Sequence, residues 1–79
     1  MSARKLWATR IDRIPGEYRR HESKAQAYRY VENDVANWLA GALRSQYVTV
    51  YVDERDGRGL QVYERVDLEQ LAQLERNKP

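Results

Sequence analysis

The longest hydrophobic pattern in the chain predicts one amphipathic helix, from Ser23 to Leu43. Apolar residues recur in this segment at spacings of three and four, which places them on one stripe of a helix with about 3.6 residues per turn. The stripe comprises Ala27, Tyr28, Val31, Val35, Trp38, Leu39 and Ala42. Ser23 fits the N-cap position, because its hydroxyl can accept from the backbone N–H of Gln26 while the Gln26 side chain reaches back to Ser23.

Further apolar positions widen this stripe into an arc. They are Ala25, Ala36, Ala40 and Leu43. An arc of that width predicts that the helix contacts two elements, a sheet and a second helix. Gly41 weakens the last turn, and the periodicity ends at residue 43, where the helix is expected to stop.

Looser alternation from Leu6 to Ile14 predicts a first strand, since the segment contains β-branched and aromatic residues. Its two faces carry Trp7, Thr9 and Ile11 on one side and Leu6, Ala8 and Arg10 on the other. Either face could be buried on alternation alone. The face of Trp7 and Ile11 is expected to lie inside, because its burial removes more apolar area from water.

Pro15 and Gly16 form a turn signal after this strand. Proline sets φ at the second turn position and glycine supplies a positive φ at the third. A hairpin would make Glu17 to His21 a short return strand, and its polar composition favours an edge position.

The clearest strand is Tyr47 to Asp53, where valines alternate with Tyr and Thr. Leu60 to Val66 is its expected hairpin partner. A two-residue turn at Asp56 and Gly57 would place Val52 opposite Gln61. A loop longer by one residue would instead place Val52 opposite Val62.

The longer loop is favoured because a slip of one residue moves every side chain to the other face. It keeps the valines together, with Val48 opposite Val66, and suits a bulge at Gly57 or Gly59. The buried face would then carry Val48, Val50, Val52 and Val62. The opposite face would carry Tyr47, Thr49, Tyr51, Gln61, Tyr63 and Arg65, with Tyr51 opposite Tyr63 and Thr49 opposite Arg65.

A short C-terminal helix is predicted to begin at Asp67, which can cap Gln70 while Val66 and Leu71 form a hydrophobic staple. Its apolar edge comprises Leu68, Leu71 and Leu74. A helix of two to three turns is unstable alone, so it is expected to dock on the long helix. The predicted fold is a single α+β domain over residues 1–79, with order ββαββα or βαββα, a sheet of three to four strands and a frayed tail at 77–79.

The amino-acid composition excludes several kinds of cross-link, metal site and catalysis. The 79-residue chain has no cysteine, which excludes disulfides, cysteine-based zinc sites and thiol catalysis. It has no apolar run typical of a signal peptide or a membrane span. We therefore expect a cytoplasmic protein that does not insert into membranes.

Charge is distributed unevenly along the chain. Residues 1–30 contain eight Lys or Arg and three acids, a balance of +5, whereas residues 31–79 contain six and nine, a balance of −3. The overall net charge of +2 therefore conceals a dipolar chain.

No catalytic or metal-binding motif is present. His21 is the single histidine, so a zinc site of the zincin type would lack its second ligand, and a solvated position at a strand end is expected. Asp53, Glu54 and Asp56 cluster on a turn, but their spacing does not match a calcium loop and arginines lie among them. We predict no enzymatic activity, no cofactor and no small-molecule substrate.

The basic N-terminal segment is one candidate binding site. Arginine interleaved with aromatic residues is typical of phosphate contact and base stacking. The nucleic-acid candidates are Arg10, Arg13, Tyr18, Arg19, Arg20, Lys24 and Arg29, and Arg4 and Lys5 precede them. The alternative interpretation is an ordinary solubilising surface.

The second candidate is the sheet face predicted to carry Tyr47, Thr49, Tyr51, Gln61, Tyr63 and Arg65. Tyrosine and arginine are enriched at protein interfaces, so this face predicts association with a protein partner or a second copy of the chain. The alternative interpretation is that Tyr51 and Tyr63 form a cross-strand pair that only stabilises the sheet.

Three segments, WATRID, PGEYRRHES and VYVDERDG, resemble small orphan proteins of actinobacteria and their phages. This resemblance contains no functional motif and implies no activity. It implies an accessory or host-directed role in which a small protein acts by binding. The sequence thus predicts a non-enzymatic binding module, with protein association ahead of weak nucleic-acid binding without sequence preference.

Overall fold

The computed structural model describes residues 5–14 and 16–77. The elements in chain order are β1 (Leu6–Ile11), β2 (Arg19–His21), α1 (Lys24–Leu39), β3 (Tyr47–Asp53), β4 (Gln61–Asp67) and α2 (Leu68–Arg76). This confirms the α+β class and selects the ββαββα order. Pro15 of the expected turn, Arg4 of the basic segment and residues 78–79 of the expected tail lie outside the described residues.

The four strands form one antiparallel sheet with the order β2-β1-β3-β4. β1 and β3 are the central strands, and the short β2 lies at an edge, as its polar sequence predicted. The hydrophobic core fills the space between the sheet and the two helices. It comprises Trp7, Ala27, Val31, Val35, Val48, Val50, Val66, Leu68 and Ala72.

The start of α1 is fixed by its N-cap. Ser23 Oγ accepts from the backbone N–H of Gln26 at 3.1 Å, which confirms the predicted cap. The Gln26 side chain accepts from the backbone N–H of Glu22 at 2.7 Å, one residue before the Ser23 amide that was predicted. The Gln26 amide, one of the donors that the first turn leaves unpaired, therefore has a partner.

α1 ends at Leu39, so the predicted end at Leu43 is wrong. Gly41 adopts a left-handed φ of 76°, and its amide donates to the carbonyl of Trp38 at 3.1 Å while the Ala42 amide donates to that of Asn37 at 2.9 Å. This pair of bonds is the Schellman arrangement, in which glycine follows the helix and satisfies its last carbonyls. Gly41 thus stops the helix, rather than weakening a turn within it.

The first strand is also shorter than predicted, because it ends at Ile11 and not at Ile14. Arg13 adopts a left-handed φ of 65°, and the Ile14 amide donates to the carbonyl of Ile11 at 3.4 Å. The chain therefore turns away before the predicted Pro15 and Gly16 turn. The expected return strand correspondingly begins at Arg19 and not at Glu17.

The face of β1 that carries Trp7 and Ile11 lies against the core, as predicted. Trp7 and Thr9 are buried there, and Ile11 packs at its margin. Ala8 on the opposite face is also buried, with 1% of its surface exposed. Side chains must therefore cover the second face of the sheet locally.

A β-bulge divides the hairpin of β3 and β4 into two registers. Val48 pairs with Val66, and Thr49 with Arg65, as the longer loop predicted. Nearer the turn, Val52 pairs with Gln61, which is the pairing of the rejected short turn. The expectation that one odd-length register holds throughout the hairpin is wrong.

Tyr63 is the extra residue of this bulge, since Tyr51 pairs with Val62 and Val50 with Glu64. The predicted burial of Val62 and the predicted pairing of Tyr51 with Tyr63 are therefore wrong. Val62 lies on the face away from the helices and is 65% exposed, whereas Val66 is only 6% exposed.

α2 docks on α1 and closes the open end of the core. Asp67 caps α2 by accepting from the amides of Glu69 and Gln70, as predicted. Leu68 and Ala72 are fully buried. The indole N–H of Trp38 donates to the Glu69 carboxylate at 2.7 Å, which joins the two helices directly.

The bulge can be tested with two identical truncations in β4. We expect Val66→Ala to lower the free energy of unfolding by about 2 kcal/mol, because it removes buried methyl groups and leaves a cavity. Val62→Ala is expected to change it by less than about 0.5 kcal/mol, because the side chain is exposed. Urea titrations of both variants measure the difference, and equal costs would contradict the bulged register.

Candidate interaction surface

The side of the sheet opposite α1 is the candidate interaction surface, and it is called the outer face below. Both helices contribute to the core on the other side of the sheet. Within residues 5–14 and 16–77, no helix therefore covers the outer face. Strand alternation assigns to this face Leu6, Ala8, Arg10, Arg20, Tyr47, Thr49, Tyr51, Asp53, Val62, Arg65 and Asp67.

One group of side chains on the outer face is the tyrosine cluster of Arg10, Tyr18 and Tyr51. The rings of Tyr18 and Tyr51 meet edge to face, with centres 4.9 Å apart. The Arg10 guanidinium lies 5.4 Å from the centre of the Tyr18 ring, within cation–π range. Burial raises the pKa of the Tyr51 hydroxyl, and the neighbouring Tyr18 raises it further, so Tyr51 remains a hydrogen-bond donor at neutral pH.

The second group is the Asp12 cluster, which joins the turn after β1 to β3 and β4. The Asp12 carboxylate accepts from Thr49 Oγ1 at 2.8 Å and from Arg65 Nε at 2.9 Å. The Arg65 guanidinium also lies 4.1 Å from the centre of the Tyr47 ring. Arg65 is therefore held by both a charge-assisted hydrogen bond and an aromatic contact.

These two clusters account for the buried positions on the outer face. Thr49 is only 6% exposed and Ala8 only 1% exposed, although both point away from the helices. Tyrosine and arginine side chains of the two clusters contact one another around these positions. The outer face thus carries a layer of aromatic and cationic groups in mutual contact.

The structure brings together only part of the predicted protein interface. Tyr47, Thr49, Tyr51 and Arg65 share the outer face, but Gln61 and Tyr63 do not, because the bulge turns them to the helix side. Three members of the two clusters were missed as interface residues: Arg10, Asp12 and Tyr18. Arg10 alternates with Ala8 on β1, but neither Asp12 nor Tyr18 lies in a strand, so alternation could not assign them.

Tyr63 packs instead over the core on the helix side. Its ring meets that of Trp7 at 4.9 Å in an edge-to-face arrangement, and its hydroxyl accepts from Lys24 Nζ at 2.8 Å. These contacts with β1 and α1 explain why the bulge directs Tyr63 inward.

The predicted nucleic-acid residues do not form one surface. Arg19 binds Asp34 of α1 through two hydrogen bonds of 3.0 and 2.7 Å, and Lys24 is engaged by Tyr63 on the helix side. Arg29 is an exposed residue of α1, and Arg13 lies in the turn after β1. Only Arg10, Tyr18 and Arg20 of the seven candidates belong to the outer face.

His21 is buried and not solvated, so the expected environment of this residue is wrong. It is 3% exposed, its Nε2 lies 2.9 Å from Thr9 Oγ1 in a hydrogen bond, and its ring packs against Tyr30 at 4.5 Å. Among the described residues, its Nδ1 has no hydrogen-bond partner. Sequence alternation gave no sign of this burial, which depends on contacts from β1 and α1.

The acidic turn between β3 and β4 forms bonds within itself. Asp53 accepts from the Arg55 amide at 2.7 Å, and Asp56 accepts from the Arg58 amide and guanidinium. In the described part of the chain, no group of three or more His, Cys, Asp or Glu side chains is placed to hold a metal ion. No helix within that part is long and apolar enough to cross a membrane.

Comparison with known proteins gives no relative for this arrangement. No protein-family model matches the chain, and neither a curated protein nor a solved structure matches it.

Stability is expected to decrease as the pH falls below about 6.5, the usual pKa of histidine. Burial lowers the pKa of His21, the Arg19 charge lowers it further, and Asp34 opposes this shift. The unfolded chain therefore binds a proton more readily than the folded chain as the pH falls through this range. Urea titrations between pH 7.5 and 5.5 measure how much the free energy of unfolding changes with pH. His21→Gln should reduce this change, and a variant with the same pH dependence as the wild type would contradict the prediction.

Proposed function

We propose that this chain is a non-enzymatic binding module that associates with another protein through the outer face. The observation that carries the proposal is the ordered layer formed by the tyrosine cluster and the Asp12 cluster on an uncovered sheet. Tyrosine and arginine supply much of the binding energy of protein interfaces. Because these side chains are already held in place, binding would cost little additional ordering.

The charge of the outer face supports a partner with an acidic surface. Arg10, Arg20 and Arg65 contribute three guanidinium groups to this face. Its carboxylates are already bonded within the chain: Asp12 accepts from Arg65, and Asp53 and Asp67, at the ends of β3 and β4, accept from backbone amides. Complementary charge steers association and determines which partners bind. A symmetric homodimer would press this face against itself and would offer its arginines only carboxylates that already accept hydrogen bonds within the chain. The same charges thus favour a different protein over a second copy.

Two observations favour protein over nucleic acid as the partner. The rings of Tyr18 and Tyr47 are already paired with arginines of this chain, so they are not free platforms for base stacking. Arg19 and Lys24 are engaged on the helix side. Weak nucleic-acid binding remains the alternative, and retention on a DNA or RNA column that falls steeply with salt would support it.

A cytoplasmic location is part of the proposal, because a chain without cysteine suits a reducing compartment. The accessory or host-directed role implied by the resemblance to phage and actinobacterial proteins would be performed through such binding. No chemical step on a substrate is required.

Two tyrosine substitutions on the same hairpin test the proposal. The immobilised chain is exposed to nuclease-treated extract of the native host, and captured proteins are quantified by mass spectrometry. Tyr51→Ser should reduce capture of the partner by about tenfold or more, because it removes a ring from the tyrosine cluster. Tyr63→Ser is the matched control on the opposite face and should retain capture. Urea titrations establish that both variants are folded.

Equal capture by wild type and Tyr51→Ser would overturn the outer face as the binding site. Sedimentation of the same proteins identifies the partner class. We expect the wild type to remain monomeric. A dimer that Tyr51→Ser abolishes and Tyr63→Ser retains would show that the partner is a second copy, and would contradict the proposed acidic partner.

A further inference from the structure

A groove runs along α1 on the helix side of the molecule, where β4 and α2 leave part of the helix uncovered. It has a volume of about 660 Å³ and is lined by residues of all three elements. Along α1 it extends from Tyr28 to Leu39, which corresponds to about 16 Å at a rise of about 1.5 Å per residue. This length is about three helical turns.

The floor of the groove is apolar. Val31, Val35 and Val66 are core residues whose edges line it, and Leu71 packs beside them. Ala36 and Leu39 belong to the wide apolar arc of α1, but neither the sheet nor α2 covers them, and Leu39 is 43% exposed. The groove is therefore the part of that arc that the chain does not bury against itself.

Carboxylates from three different elements surround this floor. They are Glu32 of α1, Glu64 of β4 and Glu75 of α2. Tyr28 Oη donates a hydrogen bond to Glu64 Oε1, and burial together with this bond raises the pKa of Tyr28. Tyr28 thus remains a donor that positions the Glu64 carboxylate at the rim.

We infer that this groove binds an amphipathic helix of a partner protein, with apolar residues on the floor and Lys or Arg toward the three carboxylates. An apolar groove about three turns long suits a helix that presents apolar residues at spacings of three and four. The negative rim selects a basic helix over an acidic one. This site is separate from the outer face and lies on the opposite side of the sheet.

A second copy of this chain does not fit the groove. The core residues of α1 and α2 are already buried within the chain, and the apolar residues that α1 leaves uncovered line the groove itself, so they cannot also fill it. Two grooves placed against each other would bring six carboxylates together, because each contributes three. The complementary occupant is therefore a helix from a different protein.

Synthetic peptides can test the charge requirement. A fluorescent Leu–Lys peptide with helical spacing is titrated with the full chain, beside a Leu–Glu peptide of the same apolar pattern and a scrambled Leu–Lys peptide. The helical Leu–Lys peptide should bind at least about tenfold more tightly than either control. Glu32→Gln combined with Glu64→Gln should weaken it by about tenfold, while the amide oxygen introduced by the second substitution can still accept from Tyr28. Equal binding of the scrambled peptide would overturn the proposal.

Two substitutions of alanine residues on α1 test the position of the site. Ala36→Phe should fill the groove and abolish peptide binding, whereas Ala25→Phe places the same ring on an exposed position of α1 outside it. Tyr51→Ser should bind the peptide as the wild type does, because its change lies on the outer face. Undiminished binding by Ala36→Phe would show that the peptide binds elsewhere and would overturn the inferred groove site.

Discussion

The bulge at Tyr63 is the constraint on which both sides of the sheet depend. Without it, alternation would place Val62 beside Val66 and would leave Tyr63 on the outer face. The extra residue directs Tyr63 to the helix side, where Glu64 already lies opposite Val50. Tyr63 meets Trp7 and Lys24 there, and Glu64 accepts from Tyr28. The bulge thus adds an aromatic ring above the core.

The two sides of the sheet consequently differ in chemistry. The outer face presents aromatic and cationic groups around the Asp12 carboxylate, with Asp53 and Asp67 at the ends of its strands. The helix side presents an apolar groove with a rim of carboxylates. The two proposed binding sites of this small domain would therefore suit partners of opposite charge.

Local signals in the sequence predicted the features that depend on neighbouring residues. The Ser23 and Asp67 caps and the alternation of β3 are set within a few positions, so they were predicted correctly. A bulge was predicted at Gly57 or Gly59, but it lies at Tyr63. No glycine or proline marks that position, and the contacts that favour it come from β1 and α1. The burial of His21 likewise depends on Thr9 and Tyr30, which the fold brings to it.

β4 forms one edge of the sheet, so its outward backbone groups could pair with a strand of another molecule. A regular strand of seven residues with an exposed Val62 at this edge would be prone to edge-to-edge aggregation. The bulge interrupts the hydrogen-bonding row and increases the local twist, so an incoming strand cannot pair continuously along it. The residue that redistributes side chains between the two faces is therefore also expected to hinder fibril formation through this edge.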